Sequence, residues 1–445
     1  MTAASTAAYE PADPPIAELI AARSALSYHV TDGLLFDGVP LNALADALGT
    51  PLWVVSAGVI RERAAILRSA LAAARLPADV RYAVKANDHL ALLRLFAAEG
   101  FGADVVSEGE MRRSLLSGIP PDRIVFSGVG KTETEMRAAL VEGIGEINVE
   151  SAEELQQLSA VATAIGRTAR ISLRVNPDVE SGTHAKIATG RARDKFGVPF
   201  ADASALYHEA ATLPGVQPVG LAVHIGSQIL SMAPYRAAYA RVADLVRSLR
   251  DRGQVVDTVD CGGGLGIAYR NDPSAGADVW AGVMAEVFRD LRVRLILEPG
   301  RWLAGPAGLL IASVIRTKQS GQRRFVVLDS AMNDLVRPAM YDAWHGIVPV
   351  GARDATAPPT RVDIVGPVCE TGDTFARNRV LPPLSAGARV AILDAGAYGS
   401  VMSSTYNSRP LAAMALVLSG RWAMIRPRQE VSALWAGERI PDWLE

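Results

Sequence analysis

The chain has 445 residues, 49% of them apolar, and a formal net charge of −2. That length allows two or three domains with sizeable cores, and that composition excludes a disordered chain. The near-neutral charge, without a long basic run, excludes nucleic acid or an anionic membrane as the main partner.

Residues 1–26 read as a loose tail, rich in Ala and Pro up to Pro15, without the basic start and apolar core of a signal peptide. No apolar stretch reaches the length of a membrane span. The two cysteines, Cys261 and Cys369, make no disulfide framework, so a reducing cytoplasm is the expected setting. Residues 27–50 are expected to add strand structure to a second, β domain, with a strand at 34–36 and a turn at Asp37-Gly38. Another short strand is expected at 51–55, and a helix over 61–74.

From residue 80 a rhythm appears. Apolar runs that fit buried strands fall at 80–84, 102–106, 124–126, 146–149, 171–175, 221–225, 255–260 and 295–297. Helical patterns fall between most of them, at 90–98, 108–116, 133–141, 153–164, 235–250 and 279–291. Ser107 before Glu110, and Ser151 before Glu154, have capping-box spacing. Strands alternating with helices imply parallel pairing, and eight such units predict a closed (β/α)8 barrel over 51–305. No G-x-G-x-x-G follows the first strand, which weighs against an open dinucleotide-binding sheet. The interval 176–219 is too long for a plain loop and is expected to carry binding residues over the barrel mouth. Beyond residue 305 the strand-like runs 309–315, 324–328, 361–365, 390–393 and 414–418, split by Gly and Pro turns, predict a second, mostly antiparallel β domain over 306–445.

Active sites of such barrels gather at the C-terminal ends of the strands. There the chain places Lys85, Ser107, Ser127-Gly128, Glu150, Arg174 with Asn176, His224 with Gly226-Ser227, the run 262–266 (GGGLG), and Glu298-Pro299-Gly300-Arg301. Turn chemistry alone favours Gly, Ser and Asn at such places. Lys85 has two readings: a lysine that snorkels to water, or an amine kept partly neutral so that it attacks a carbonyl. His224 alone fits a hydrogen-bonded core histidine, Glu298 alone a strand-end ion pair, and the glycine run alone a flexible turn. Together they fit one cofactor, pyridoxal phosphate. Its aldehyde takes a lysine, its ring nitrogen takes a carboxylate, and its phosphate takes a glycine cradle. No metal ligand set is read from the sequence.

With these residues assembled, the chain resembles the fold-type III pyridoxal-phosphate decarboxylases, and within them the diaminopimelate decarboxylases. The similarity runs over about 34–428. It is carried by YAVKAN from Tyr82, FSGVGKT from Phe126, NVES from Asn148, RVNPDV from Arg174, THAKIATG from Thr183 and KFG from Lys195. HIGSQI from His224, GGGLGI from Gly262, EPGR from Glu298, MNDLVRPAMY from Met332, GPVCETGD from Gly366, GAYG from Gly396 and STYNSRP from Ser404 continue it.

The resemblance implies roles. Lys85 would hold the cofactor as an imine, His224 would stack on its ring, and Glu298 would pair with the ring nitrogen. Ser227, Gly263, Gly264, Gly300 and Tyr398, with Arg301, would surround the phosphate end. Arg301, Arg337 and Tyr341, with Tyr398, would hold the far end of the substrate. Cys369 and Glu370 would reach in from the partner subunit of a homodimer with shared sites, Cys369 as a catalytic group. The implied reaction is decarboxylation of meso-2,6-diaminopimelate to L-lysine, the last step of lysine biosynthesis. Arginines at the far end suit its second carboxylate, where a bare amine would ask for an acidic residue. Three departures from the family pattern, Glu108, Cys261 and the stretch from Leu411 to Met414, remove no catalytic group. The alternatives are a decarboxylase of a related amino acid or carboxylated polyamine, an alanine-racemase-like enzyme on the same plan, and an inactive binding relative.

Overall fold

The computed structural model describes residues 13–180, 182, 189–190, 194–270, 272–351 and 358–444. Residues 1–12 of the expected tail, and residues 183–188 of the THAKIATG stretch, lie outside the described residues.

Eight short strands form a parallel barrel: Ala78–Ala83, Gly102–Val105, Ile124–Phe126, Glu146–Val149, Ala169–Asn176, Val216–Ala222, Thr258–Asp260 and Arg294–Leu297. Each pairs in parallel with the next, and the last pairs with the first, so no edge is left open. Parallel neighbours need a crossover, and helices such as Leu90–Ala98, Glu108–Leu116 and Ala152–Ala164 supply it. The side chains of Ser107 and Ser151 cap their helices by accepting the N–H of Glu110 and Glu154. The two glutamates reach one residue further back than a capping box requires, to the N–H of Val106 and Glu150. Thr132 and Glu135 form the complete reciprocal box.

The second domain is a mixed, mostly antiparallel sheet in the order Thr374–Leu381, Thr360–Val365, Arg323–Leu328, Gly308–Ser320, Leu52–Ser56, Ala413–Leu418, Arg421–Arg426. Arg389–Ile392 and Ile347–Pro349 branch from it. The strand Leu52–Ser56, placed by the sequence reading at the start of the barrel, lies inside this sheet instead. It runs antiparallel to Gly308–Ser320 and parallel to Ala413–Leu418. All five residues are buried, and a run buried on both faces fits either sheet by composition. The chain therefore enters the β domain first, crosses to the barrel through the helix Ala57–Ala73, and returns at Gly308.

Residues 13–26 are not loose. Ile16–Ala21 is helical, with Leu19 and Ile20 buried, and Arg23 forms an ion pair with the buried Asp394. Leu26–His29, Gly33–Phe36 and Val39–Pro40 form a separate three-stranded antiparallel sheet. Its tight turn has Asp37 and Gly38 at φ 50° and 76°, the left-handed values a type I′ hairpin needs. This small sheet touches the β domain through the N–H of Leu34, which donates to the Val350 carbonyl at 2.7 Å. Among the described residues, no helix is long and apolar enough to cross a membrane.

Candidate active site

The first barrel strand stops at Ala83, and a 3₁₀ turn, Val84–Ala86, lifts Lys85 onto the rim. Its Nζ lies 2.5 Å from Oδ2 of Asp104, a fully buried residue of the second strand. Burial works against the ammonium, but the Asp104 carboxylate beside it outweighs that and raises the amine well above its ordinary value. Lys85 is therefore held charged in an ion pair, which matches neither the snorkelling nor the partly neutral reading of the sequence. The reason is Asp104, an acidic residue hidden within an apolar run.

Lys85, His224 and Glu298 line one cavity of about 370 Å³, with Ser127, Asn148, Arg174 and Asp260. Asn148 Nδ2 donates to Ser127 Oγ and to Asp260 Oδ2, each at 3.1 Å, and Asp260 Oδ1 accepts the Gly262 N–H at 2.9 Å. Burial, then the Asp104 and Asp260 carboxylates, push the Glu298 carboxyl well up, so it holds a proton that it shares with Asp260. Burial, then the Arg174 and Lys85 charges, push His224 well down. The ring is neutral, and its Nδ1 accepts the Gly263 N–H at 3.2 Å, which leaves the proton on Nε2.

The glycine run can only be glycine. A Cβ at Gly263 would lie 2.0 Å from the Glu298 carbonyl oxygen, and one at Gly264, whose φ is 90°, would lie 2.2 Å from that of Gly226. Gly300 is also closely hemmed in: a Cβ there would lie 3.1, 3.0 and 3.4 Å from Ala83, Ala86 and the Tyr398 hydroxyl. Tyr398 itself sits at φ 55°, a left-handed value rare for a bulky residue, and donates its N–H to the Ala86 carbonyl at 2.7 Å. Its backbone is thereby tied to the turn that carries Lys85. Arg301 links this end to the next cavity: Nη2 donates to Ser227 Oγ at 3.0 Å, and the guanidinium lies 4.8 Å from the centre of the Tyr398 ring.

A second cavity, of about 340 Å³, is lined by Arg301, Arg337, Tyr341, Tyr269 and Trp344 among others. Arg301 and Arg337 are both buried, and both donate to the Tyr269 hydroxyl oxygen, at 2.9 and 3.3 Å. Among the described residues neither guanidinium has a carboxylate partner in an ion pair. Two buried cations converging on one phenol oxygen make a site for an anion. Burial lowers Arg337, and the Arg301 charge adds to this. A carboxylate between the two would relieve both effects.

Cys369 and Glu370 line neither cavity of their own chain. Cys369 is exposed; its N–H donates to Asn407 Oδ1 at 3.0 Å, while the Glu370 carboxylate accepts the Tyr406 hydroxyl at 2.5 Å. The Asp373 carboxylate pins their turn by accepting the N–H of Val368 and of Met332, each at 2.7 Å.

The sequence reading did not single out Asp260 and Tyr269, which line these cavities, nor Asp104 and His345, which contact Lys85 and Arg337. Asp104 and Asp260 carried a signal, since an acid inside a buried strand run needs a partner. Tyr269 and His345 carried none. His345 is buried, its Nδ1 lies 2.8 Å from the Leu393 carbonyl, and its Nε2 accepts Nε–H of Arg337 at 3.3 Å. Burial, then the Arg337 charge, lower it to about 3 from an ordinary 6.5. Below about 6.5 the unfolded chain takes up a proton that the folded one refuses, so this group removes stability as pH falls toward 3. The full effect is on the order of 5 kcal/mol. Melting curves from pH 7 to 4 should therefore fall less steeply for His345→Gln than for the parent, and parallel curves would contradict the assignment.

Residues 57–305 match the pyridoxal binding domain of the pyridoxal-dependent decarboxylases. Over 416 residues the chain is 48% identical to the diaminopimelate decarboxylase of Zymomonas mobilis, covering 92% of this chain and 98% of that protein. A crystal structure of diaminopimelate decarboxylase from Helicobacter pylori complexed with L-lysine aligns with a TM-score of 0.85 at 37% identity, covering 89% of this chain and 98% of that one. The diaminopimelate decarboxylase from M. jannaschii in co-complex with L-lysine aligns with a TM-score of 0.90 at 34% identity, covering 95% and 99%. A barrel rim that carries Lys85, His224 and Glu298 on one cavity, together with these similarities, places the chain in the diaminopimelate decarboxylase family of pyridoxal-phosphate-dependent decarboxylases.

Proposed function

We propose that the protein removes one carboxylate of meso-2,6-diaminopimelate as carbon dioxide, with pyridoxal phosphate, and leaves L-lysine. The observation that carries this substrate is the pair of buried guanidiniums, Arg301 and Arg337, on Tyr269. The residues present fit the cofactor. One cavity offers an amine at Lys85, a flat neutral ring at His224 and a proton-holding carboxyl at Glu298, and a glycine run borders it. When bound, pyridoxal phosphate supplies an electron sink for the pair left behind by the departing carboxylate.

The chain's own groups do the rest. Lys85 holds the cofactor through Nζ. The Glu298 carboxyl can share its proton with the ring nitrogen, and His224 presents its face to the ring. Ser227, Gly263, Gly264, Gly300 and Tyr398 cradle the phosphate. Arg301 and Arg337, with Tyr341, grip the distal carboxylate and so set which end of the substrate lies over the reacting centre. When Nζ is free of the cofactor, Asp104 keeps it protonated, and Lys85 is then an acid able to return a proton to carbon. We infer further that the enzyme is a cytoplasmic homodimer, in which Cys369 of the partner subunit and Glu370 of the partner subunit complete each site. An exposed cysteine on a pinned turn, away from its own chain's cavities, supports that reading.

The test is side-by-side assay of diaminopimelate, lysine, ornithine and arginine, following carbon dioxide and product. Carbon dioxide and L-lysine are expected from diaminopimelate, with the three monocarboxylates turned over at least about tenfold more slowly. Comparable release from lysine or ornithine would overturn the substrate. Inversion at the α-carbon without carbon dioxide would favour the racemase-like alternative.

A further inference from the structure

The segment before the first helix reaches the wall of the substrate cavity. Asp13 Oδ1 accepts the indole N–H of Trp344 at 2.9 Å, and Asp13 Oδ2 lies 3.2 Å from Nε of Arg379. Trp344 lines the cavity that holds Arg301 and Arg337. Its ring carries two guanidiniums, Arg379 at 4.5 Å and Arg270 at 5.2 Å from the ring centre. Arg379 is buried, and its Nη1 donates to the carbonyl oxygen of His345, the residue after Trp344, at 2.8 Å. Burial lowers Arg379 to about 10, with the Asp13 carboxylate opposing that shift.

The His345 ring carries the connection onward. Neutral, and with Nδ1 facing the Leu393 carbonyl, it keeps its proton on Nδ1 and turns the Nε2 lone pair to Nε–H of Arg337. Arg337 is thus anchored twice, by His345 behind it and by the Tyr269 hydroxyl beside it. A guanidinium reads a carboxylate through a planar fork, so the tilt of that plane decides how well both oxygens are met.

We propose that Asp13 is a positioning residue for recognition of the substrate's distal carboxylate. One carboxylate fixes the Trp344 indole through one oxygen and Arg379 through the other. Arg379 in turn holds the backbone at His345, and His345 holds Arg337. Without Asp13, a buried guanidinium loses its counter-charge and the indole N–H loses its acceptor. Both losses fall on residues 344 and 345, the wall and the backstop of the distal site. The proposal rests on the function proposed above.

The competing account makes Asp13 a stability clamp between the chain start and the β domain, with no bearing on the substrate. Full-length parent, Asp13→Ala, Asp13→Glu, Asp13→Asn and Trp344→Phe, each loaded with pyridoxal phosphate, separate the two. Melting temperature, KM and kcat for diaminopimelate are measured on each. Asp13→Ala is expected to raise KM on the order of tenfold with kcat within about twofold of the parent. Asp13→Glu should recover most of that loss. Trp344→Phe, which keeps a ring but lacks the N–H, should fall between. If Asp13→Ala does not fold, Asp13→Asn and Trp344→Phe carry the same expectation of a raised KM. A KM that stays at the parental value in the folded, loaded variants overturns the proposal, even where melting temperature drops. A parent protein inert toward diaminopimelate would overturn the functional reading and the proposal together; an active parent with unmoved KM in the variants overturns the proposal alone.

Discussion

Lys85→Ala is expected to lower decarboxylation by about 10³-fold or more, because it removes both the proposed attachment point of the cofactor and the proposed acid in the same cavity. The parent, purified with pyridoxal phosphate, should be yellow, and borohydride should fix the cofactor to the peptide that contains Lys85. A label on another peptide would sink the assignment. The substitution also leaves Asp104 buried without its cation. An unpaired buried charge costs about 3–5 kcal/mol, so melting curves must accompany the assay. Lys85→Ala combined with Asp104→Asn removes that charge and keeps the test meaningful.

The same variant tests the shared site. Cys369→Ala is expected to be crippled by itself if, as proposed, Cys369 of each subunit faces Lys85 across a two-fold interface. Refolding Lys85→Ala and Cys369→Ala together in equal amounts makes about half of the dimers mixed. In a mixed dimer with shared sites, one site collects both lesions and the other collects none. Roughly a quarter of all sites then regain full activity. If each site is built within one chain, every site carries one lesion. Activity that stays at the level of the separate variants, with mixed dimers verified by mass, would rule out the shared site.

Arg337→Ala is expected to weaken catalysis on diaminopimelate by roughly ten- to a hundredfold. Losing a hydrogen bond to an ion costs about 1.5–3 kcal/mol, and each 1.4 kcal/mol is a factor of ten. The loss should fall mainly on KM, because the distal carboxylate is bound in the ground state and in the transition state alike. Cofactor uptake should survive, since Arg337 lines the second cavity and not the one around Lys85. Unimpaired turnover of diaminopimelate by Arg337→Ala would overturn the substrate-end assignment.

Much of this molecule was legible before folding. A barrel strand buried on both faces is a local property, readable as a short apolar run, and all eight runs coincide with or overlap strands of the closed barrel. Ser107 and Ser151 were readable as caps for the same reason, since a cap spans only a few residues. Lys85, His224 and Glu298 were readable because strand ends share one rim whenever a barrel closes. The partners of those residues were not. Leu52–Ser56 is apolar enough for either sheet, and only its pairing with Gly308–Ser320 and Ala413–Leu418 decided between them. The charge state of Lys85 depends on Asp104, brought to it by strand pairing. Tyr269 joins Arg301 to Arg337, and Asp13 meets Trp344 across 331 positions of chain. Periodicity and capping are set by neighbours within a few residues, so the chain alone determines them. Ion pairs and proton positions are set by whichever groups closure brings within hydrogen-bonding distance, and only the tertiary structure decides those.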